Sequence, residues 1–313
     1  MDRPIEKVAV VGTGVIGASW ASLLLARGLE VVATDPAAGA ETRLRQAVER
    51  AWPVLVEIGL ASGADRERLA FVPDLERAVA EADFVQESGP EREALKRETF
   101  RRMDEAAAPD VVLASSTSGL MPSGFQAGCR HPERVVVGHP FNPPHLVPLV
   151  EVVGGAATSP AAIATAMTFY ARLGKRPIHI RKELIGHVAN RLQNALWREA
   201  YHLVDIGAVT VAEVDAAIAH GPGLRWALMG PCLLQHLGGG EGGIRHALDH
   251  LGPFKEAAWA DLGTPRLTEE LKAKLEAGMG EALREVDEEA MLRERDALMV
   301  ALLKAKAATR DLP

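Results

Sequence analysis

Short, unbroken apolar runs punctuate the first part of the chain: Val8–Val11, Val31–Ala33, Phe84–Val85, Val111–Ala114, Val135–Val137, Leu149–Val153 and Pro177–Ile180. Continuous β-branched runs, rather than alternating ones, mark parallel strands buried on both faces. Between them, apolar residues recur at helical spacing over Ile16–Ala26, Ala40–Ile58, Leu75–Glu81, Glu91–Glu105 and Ala161–Arg172. Strand and helix in alternation predict an α/β fold with a doubly wound sheet. The pattern changes after Lys182. From Gly186 onward no strand is expected, and helices are predicted over Val188–Asp205, Val211–Ala219, Thr268–Ala277 and Met291–Thr309. Thr210 with Glu213 reads as a capping box, and Thr268 as a second N-cap. The expected organisation is an α/β domain over residues 1–183 followed by an all-helical domain over 184–313. The glycine-rich segment Leu237–Gly243 reads as a flexible connection, and no internal repeat is visible.

Length and composition narrow the class. A chain of 313 residues, 48% hydrophobic and 25% charged, is long enough for two folded domains and ordinary for a globular protein. No apolar run reaches the roughly 18 residues that span a bilayer. The N-terminus enters a strand too early to leave room for a signal peptide, so a cytoplasmic location is expected. Cys129 and Cys232 are the only cysteines, which excludes a disulfide framework or a cysteine metal cluster. A net charge of −7 argues against a nucleic-acid or acidic-membrane partner. The ten histidines contain no H-E-x-x-H and no cluster at zinc-ligand spacing. His246 and His250, four apart, read as a solvated helix face, and no metal is expected.

The first strand runs into G-T-G-V-I-G, with Gly12, Gly14 and Gly17 ahead of a helix, and Asp35 closes the next strand. Glycines at these positions permit a tight turn and let backbone N–H groups approach a pyrophosphate, which the positive end of the helix attracts. An acid at the end of the second strand accepts hydrogen bonds from the adenosine ribose and repels a 2′-phosphate. The expected cofactor is therefore NAD, bound on a Rossmann-type domain.

Chemistry concentrates in Gly138–Glu151, G-H-P-F-N-P-P-H-L-V-P-L-V-E. His139 comes off a strand at the end of the sheet where ligand crevices form, and Glu151 lies on the next apolar run. A carboxylate on one imidazole nitrogen orients the ring and stabilises its charged form, leaving the other nitrogen to take a proton. Ser118, in the Ser115–Gly119 turn, is a candidate partner for a substrate oxygen. Asn190 opens a helix on which Asn194, Trp197 and Tyr201 share its face. There is no G-x-S-x-G, so a hydrolase nucleophile is not expected.

Together these motifs resemble the 3-hydroxyacyl-CoA dehydrogenase superfamily over the whole chain. His139 in H-P-F-N-P matches its base, Glu151 in L-V-E-V the paired carboxylate, Ser118 in S-S-T-S its serine, and Asn190 in N-R-L its asparagine. The resemblance implies an NAD-binding first domain, a helical second domain that forms a homodimer, and catalysis between them. Its expected cofactor residues are Gly12, Gly14, Val15, Ile16, Gly17, Asp35, Glu87 and Lys96. Within the superfamily the motifs divide between two branches that act on free hydroxy acids. Gln86–Arg92, Ser115–Leu120, Leu196–Ala200 and Gly223–Trp226 are similar to L-carnitine dehydrogenases. Leu120–Ser123, Asn142–Pro144, Asn190–Gln193 and Met229–Pro231 are similar to L-gulonate 3-dehydrogenases, a branch close to the structural lambda-crystallins. The chain has no lysine between Lys7 and Lys96, where acyl-CoA enzymes meet the phosphates of their substrate. A quaternary ammonium binds aromatic faces, and Trp197, Tyr201, Trp226, Phe254 and Trp259 all fall in the helical half. Arg191, Arg198 and Arg225 are candidates for a substrate carboxylate. The implied reaction is NAD-dependent oxidation of the 3-hydroxyl of a small L-3-hydroxy acid to the 3-oxo acid, first L-carnitine to 3-dehydrocarnitine, then L-gulonate, then a 3-hydroxyacyl-CoA. A crystallin-like structural protein is the alternative outside enzymes.

Overall fold

The structure, a computed structural model, describes residues 4–310 and 312. The chain falls into two compact units, Met1–Arg191 and Leu192–Pro313. In the first, strands and helices follow one another as β1 (Lys7–Val11), α1 (Val15–Ala26), β2 (Glu30–Thr34), α2 (Ala40–Ile58), β3 (Leu69–Phe71), α3 (Leu75–Val79) and β4 (Phe84–Glu87). They continue as α4 (Glu93–Ala106), β5 (Val112–Ser115), α5 (Pro122–Gln126), β6 (Val135–Pro140), β7 (Leu149–Gly154), α6 (Pro160–Arg172) and β8 (Arg176–Ile180). The strands make one sheet in the order β3-β2-β1-β4-β5-β6-β7-β8. Every pairing is parallel except β6 with β7.

Alternate residues of each strand serve opposite faces. Val8 and Val10 pack with Leu24 of α1, Leu44 of α2 and Phe169 of α6. Ala9 and Val11 join Phe100 and Met103 of α4 and Phe125 of α5 on the other side. Burial on both faces is why β1, β4, β5 and β6 read as unbroken apolar runs. The run Pro177–Ile180, expected as a buried strand, instead forms the edge strand β8 and is mostly exposed. The three-residue β3 carries too little pattern to be read from sequence. The strand order reverses between β1 and β4, so a crevice opens beyond their C-terminal ends. There the chain emerges as Gly12–Gly14 and Ser88–Gly89.

The second unit is helical, as the sequence predicts. Its elements are α7 (Ala189–Asp205, whose first turn belongs to the first unit), α8 (Val211–Ala219), α9 (Pro222–Trp226), α10 (Pro231–Gly238), α11 (Gly243–Asp261), α12 (Glu269–Ala282) and α13 (Glu288–Ala307). The Thr210–Glu213 capping box forms in both directions, and Thr268 caps α12 through the Leu271 amide. The expectation for Leu237–Gly243 is corrected. The segment ends α10, makes a single 3₁₀ turn over Gly240–Gly242 and starts α11, with φ of +58° at Gly240 and +57° at Gly243. Those two left-handed glycines reverse the chain in a tight turn. Helices α9, α10 and α11 are not among the predicted ones; the first two are short, and the 19-residue α11 holds Pro253. Among the described residues no helix is long and apolar enough to cross a membrane.

Candidate active site

The glycine turn has the geometry that its motif requires. Gly12 has φ +87°, and a Cβ there would lie 2.8 Å from the Ser88 carbonyl oxygen. A Cβ on Gly17 would lie 1.8 Å from the Gly12 carbonyl oxygen, so α1 can approach β1 only without a side chain. Gly14 faces open space. It caps α1 without a side-chain hydrogen bond, and no acid lies in the first turn. The amides of Val15 and Ile16 therefore have no intrahelical acceptor, a donor set suited to a dinucleotide pyrophosphate. Asp35, half-buried at the tip of β2, is anchored to the same turn. Its Oδ2 accepts from the Thr13 amide at 2.7 Å and the Thr13 hydroxyl at 3.2 Å, and its Oδ1 accepts from the Ala37 amide at 2.8 Å. Three of the carboxylate's roughly four acceptor sites are thus used, and Oδ1 retains acceptor capacity. These residues fit NAD.

Glu87 and Lys96 occupy a different place from the one expected. Their side chains are 2% and 1% exposed and face one another, with Lys96 Nζ 2.8 and 2.6 Å from the two Glu87 oxygens. Glu87 also accepts from the Gly89 amide at 2.6 Å and the Ser115 hydroxyl at 2.7 Å. The pair thus pins the Ser88–Gly89 turn against which Gly12 packs, and its side chains offer nothing to a cofactor. The carboxylate that reaches the site is Glu91, four residues on. It accepts from the Thr117 hydroxyl at 2.8 and 2.7 Å, the Ser118 amide at 2.6 Å and the Ser118 hydroxyl at 3.0 Å. Burial works against its charge, but those hydrogen bonds and the Lys96 charge outweigh it and hold the carboxyl below its usual range. Because a carboxylate only accepts, the Ser118 hydroxyl proton is directed at Glu91.

His139 and Glu151 are opposed residues across the one antiparallel pairing of the sheet. His139 Nδ1 lies 2.8 Å from Glu151 Oε2, with the side chains 7% and 0% exposed. Glu151 is ionised by its surroundings: burial would raise its pKa, but hydrogen bonds from His139 and from the Ala189 and Val188 amides lower it on balance. Those amides donate to Oε1 at 2.8 and 2.9 Å. An ionised partner fixes the tautomer, so Nδ1 carries the proton and Nε2 presents a lone pair. Phe141 packs edge-on against His139, with ring centroids 5.1 Å apart. Asn190 follows directly on the two amides that grip Glu151, and all four expected catalytic residues lie in the first unit.

The support beneath the dyad was not read from sequence. Tyr170 donates to Gln86 Oε1 at 2.6 Å, and Gln86 Nε2 donates to Ser116 Oγ at 2.8 Å and the Gly138 carbonyl at 3.4 Å. A Cβ on Gly138 would lie 1.9 Å from the Tyr170 hydroxyl oxygen. The glycine before His139 is thus required by close approach. Its only sequence signal was its place beside the histidine.

Two family models cover most of the chain: the 3-hydroxyacyl-CoA dehydrogenase NAD-binding domain over residues 7–184, and the C-terminal domain of the same enzymes over residues 186–279. The chain belongs to the 3-hydroxyacyl-CoA dehydrogenase family. Like that family, it is an NAD-dependent oxidoreductase acting on a CH–OH group. It is 53% identical to an L-carnitine dehydrogenase of Bacillus cereus over 88% of this chain and 84% of that one. With the L-carnitine dehydrogenase of Streptomyces coelicolor the identity is 52%, over 96% and 95% of the two chains. Among solved structures of the family, an NAD-dependent 5-formyl-3-hydroxy-2-methylpyridine 4-carboxylic acid 5-dehydrogenase superposes with a TM-score of 0.84 at 29% identity, covering 98% of this chain and all of that one. FadB2 of M. tuberculosis superposes with a TM-score of 0.68 at 32% identity, over 88% and 95% of the two chains.

Proposed function

We propose that this family member oxidises L-carnitine to 3-dehydrocarnitine with NAD. The observation that carries the chemistry is the buried His139–Glu151 pair, found in a chain about half identical to L-carnitine dehydrogenases. Bound NAD supplies the hydride acceptor. The glycine turn, with the amides of Val15 and Ile16, would hold its pyrophosphate, and Asp35 would take the adenosine ribose and reject a 2′-phosphate. His139 Nε2 takes the hydroxyl proton as the C3–H bond gives up its hydride and the C3–O bond becomes a carbonyl. Glu151 keeps the ring in the productive tautomer and stabilises the imidazolium. Asn190 donates to the substrate oxygen, and Ser118 turns its hydroxyl from Glu91 to that oxygen as negative charge develops there.

The helical unit pairs with a second copy of the chain in this reading. Its buried hydrophobic residues, among those described, are Val211, Ala247, Leu271 and Val300. By contrast Leu192, Phe254, Trp259 and Leu298 are 61 to 73% exposed, apolar area that a dimer would cover. The working location is the cytoplasm, where NAD and a small hydroxy acid are both available. NADH formation on a panel of L-carnitine, L-gulonate, L-3-hydroxybutyrate and 3-hydroxybutyryl-CoA tests the assignment. The highest kcat/KM is expected on L-carnitine, and a higher value on any other member would reject it. Sedimentation of the purified chain as a monomer would reject the dimer.

A further inference from the structure

His187 is an unusual residue beside the dyad. It has a left-handed backbone, φ +51°, and is 1% exposed. Residues other than glycine take that conformation uncommonly, histidine more often than most, and such residues cluster at active sites. Here it turns the chain so that the next two amides, of Val188 and Ala189, converge on Glu151 Oε1. The ring performs a second task. Its Nε2 lies 3.1 Å from the carbonyl oxygen of Thr117, the residue before Ser118. A carbonyl only accepts, so Nε2 carries a proton, and Nδ1 is buried with no hydrogen-bond partner among the described residues. The ring centroid is 5.2 Å from that of His139. Burial lowers the His187 pKa. Its bond to Thr117 and the charges of Glu151 and Glu91 oppose that, while His139 reinforces it, and the net direction is down.

A side chain that served packing alone would be poorly chosen here. Leucine would leave no orphaned nitrogen, and glycine would relieve the backbone. Both costs are retained at one position, and what that position gains is a donor to the Ser118 turn joined to a backbone that grips Glu151. We propose that His187 is a positioning residue: a strut that sets the spacing between Ser118 and the His139–Glu151 pair. The proposal rests on the reading of His139 as the base.

Steady-state kinetics on L-carnitine and its C3-deuterated form, for wild type, His187→Leu, His187→Gln, His187→Asn and His139→Gln, test both ideas. His187→Leu strands the Thr117 carbonyl and should lower kcat about 10-fold to 30-fold, with a larger deuterium isotope effect and KM for NAD within about twofold of wild type. His187→Gln places an amide N–H near the former Nε2 and should recover kcat to within about threefold of wild type. His187→Asn tolerates the left-handed backbone but falls short of Thr117, so it should share the leucine deficit in a relaxed fold, even where His187→Leu is too unstable to assay. The proposal is overturned if either short-reach variant keeps near wild-type turnover, or if glutamine is no better than leucine. Near-normal turnover in His139→Gln would instead reject the base, a separate failure.

Discussion

Replacing Glu151 by glutamine tests the dyad with almost no change in shape. The glutamine oxygen can still accept from the Val188 and Ala189 amides, which bind Oε1 in the native chain. Its amide nitrogen then faces His139 Nδ1, 2.8 Å from the native Oε2. Two donors cannot face each other, so the ring must move its proton to Nε2, the nitrogen that has to be vacant. The lost charge sets the magnitude. With an imidazolium about 4 Å from the carboxylate charge and an effective dielectric near 20, the attraction is roughly 4 kcal/mol. That is about 10³-fold in rate if the imidazolium is fully formed in the transition state. Glu151→Gln should therefore lower kcat for L-carnitine about 10³-fold while leaving the KM for NAD near wild type. Initial-rate measurements, with NAD binding followed separately, read the effect. A kcat within about tenfold of wild type would refute the argument, since no geometry that preserves the hydrogen bonds forfeits so little charge stabilisation.

The same carboxyl predicts a pH effect on stability. Its folded pKa lies below the ordinary value, so its contribution is fully present above the ordinary glutamate range and lost as pH falls through the depressed folded pKa. Thermal melts should accordingly show a smaller acid destabilisation in Glu151→Gln than in wild type, and parallel curves would contradict this. Asp35→Ala should raise the KM for NAD and bring the NAD-to-NADP preference toward unity, and unchanged discrimination would remove Asp35 from the ribose. Lys96→Met strands a buried Glu87 charge and should cost about 3–5 kcal/mol in urea unfolding, most of it recovered in the double variant with Glu87→Leu. Equal losses in the single and double variants would exclude the buried pair as the cause. Gly138→Ala drives a methyl into the Tyr170 hydroxyl and should lower stability by about 1–3 kcal/mol. Tyr170→Phe in the same chain should restore part of it, and no rescue would mean the clash lies elsewhere.

The sequence by itself determined what local pattern encodes. Buried parallel strands need apolar runs, helices need periodic faces and caps, and a phosphate turn needs glycines at fixed spacing. The alternating α/β half, the helical half, the Gly12–Gly17 turn and Asp35 were legible for that reason. The capping residues Thr210 and Thr268 were as well. His139 and Glu151 were paired on their chemistry and on the family resemblance, and the antiparallel pairing of β6 with β7, which the apolar runs did not reveal, is what brings them together. Tertiary structure alone decided the contacts between residues far apart in the chain. Which acid of Glu87 and Glu91 meets Ser118 depends on where β4 ends and α4 begins, a boundary that the apolar pattern leaves open by a few residues. The orientation of the Ser118 hydroxyl depends on Glu91, 27 positions away. His187 gave no signal as one of ten histidines. Its role comes from a left-handed backbone and a bond to Thr117 across 70 residues, and a sequence motif records neither.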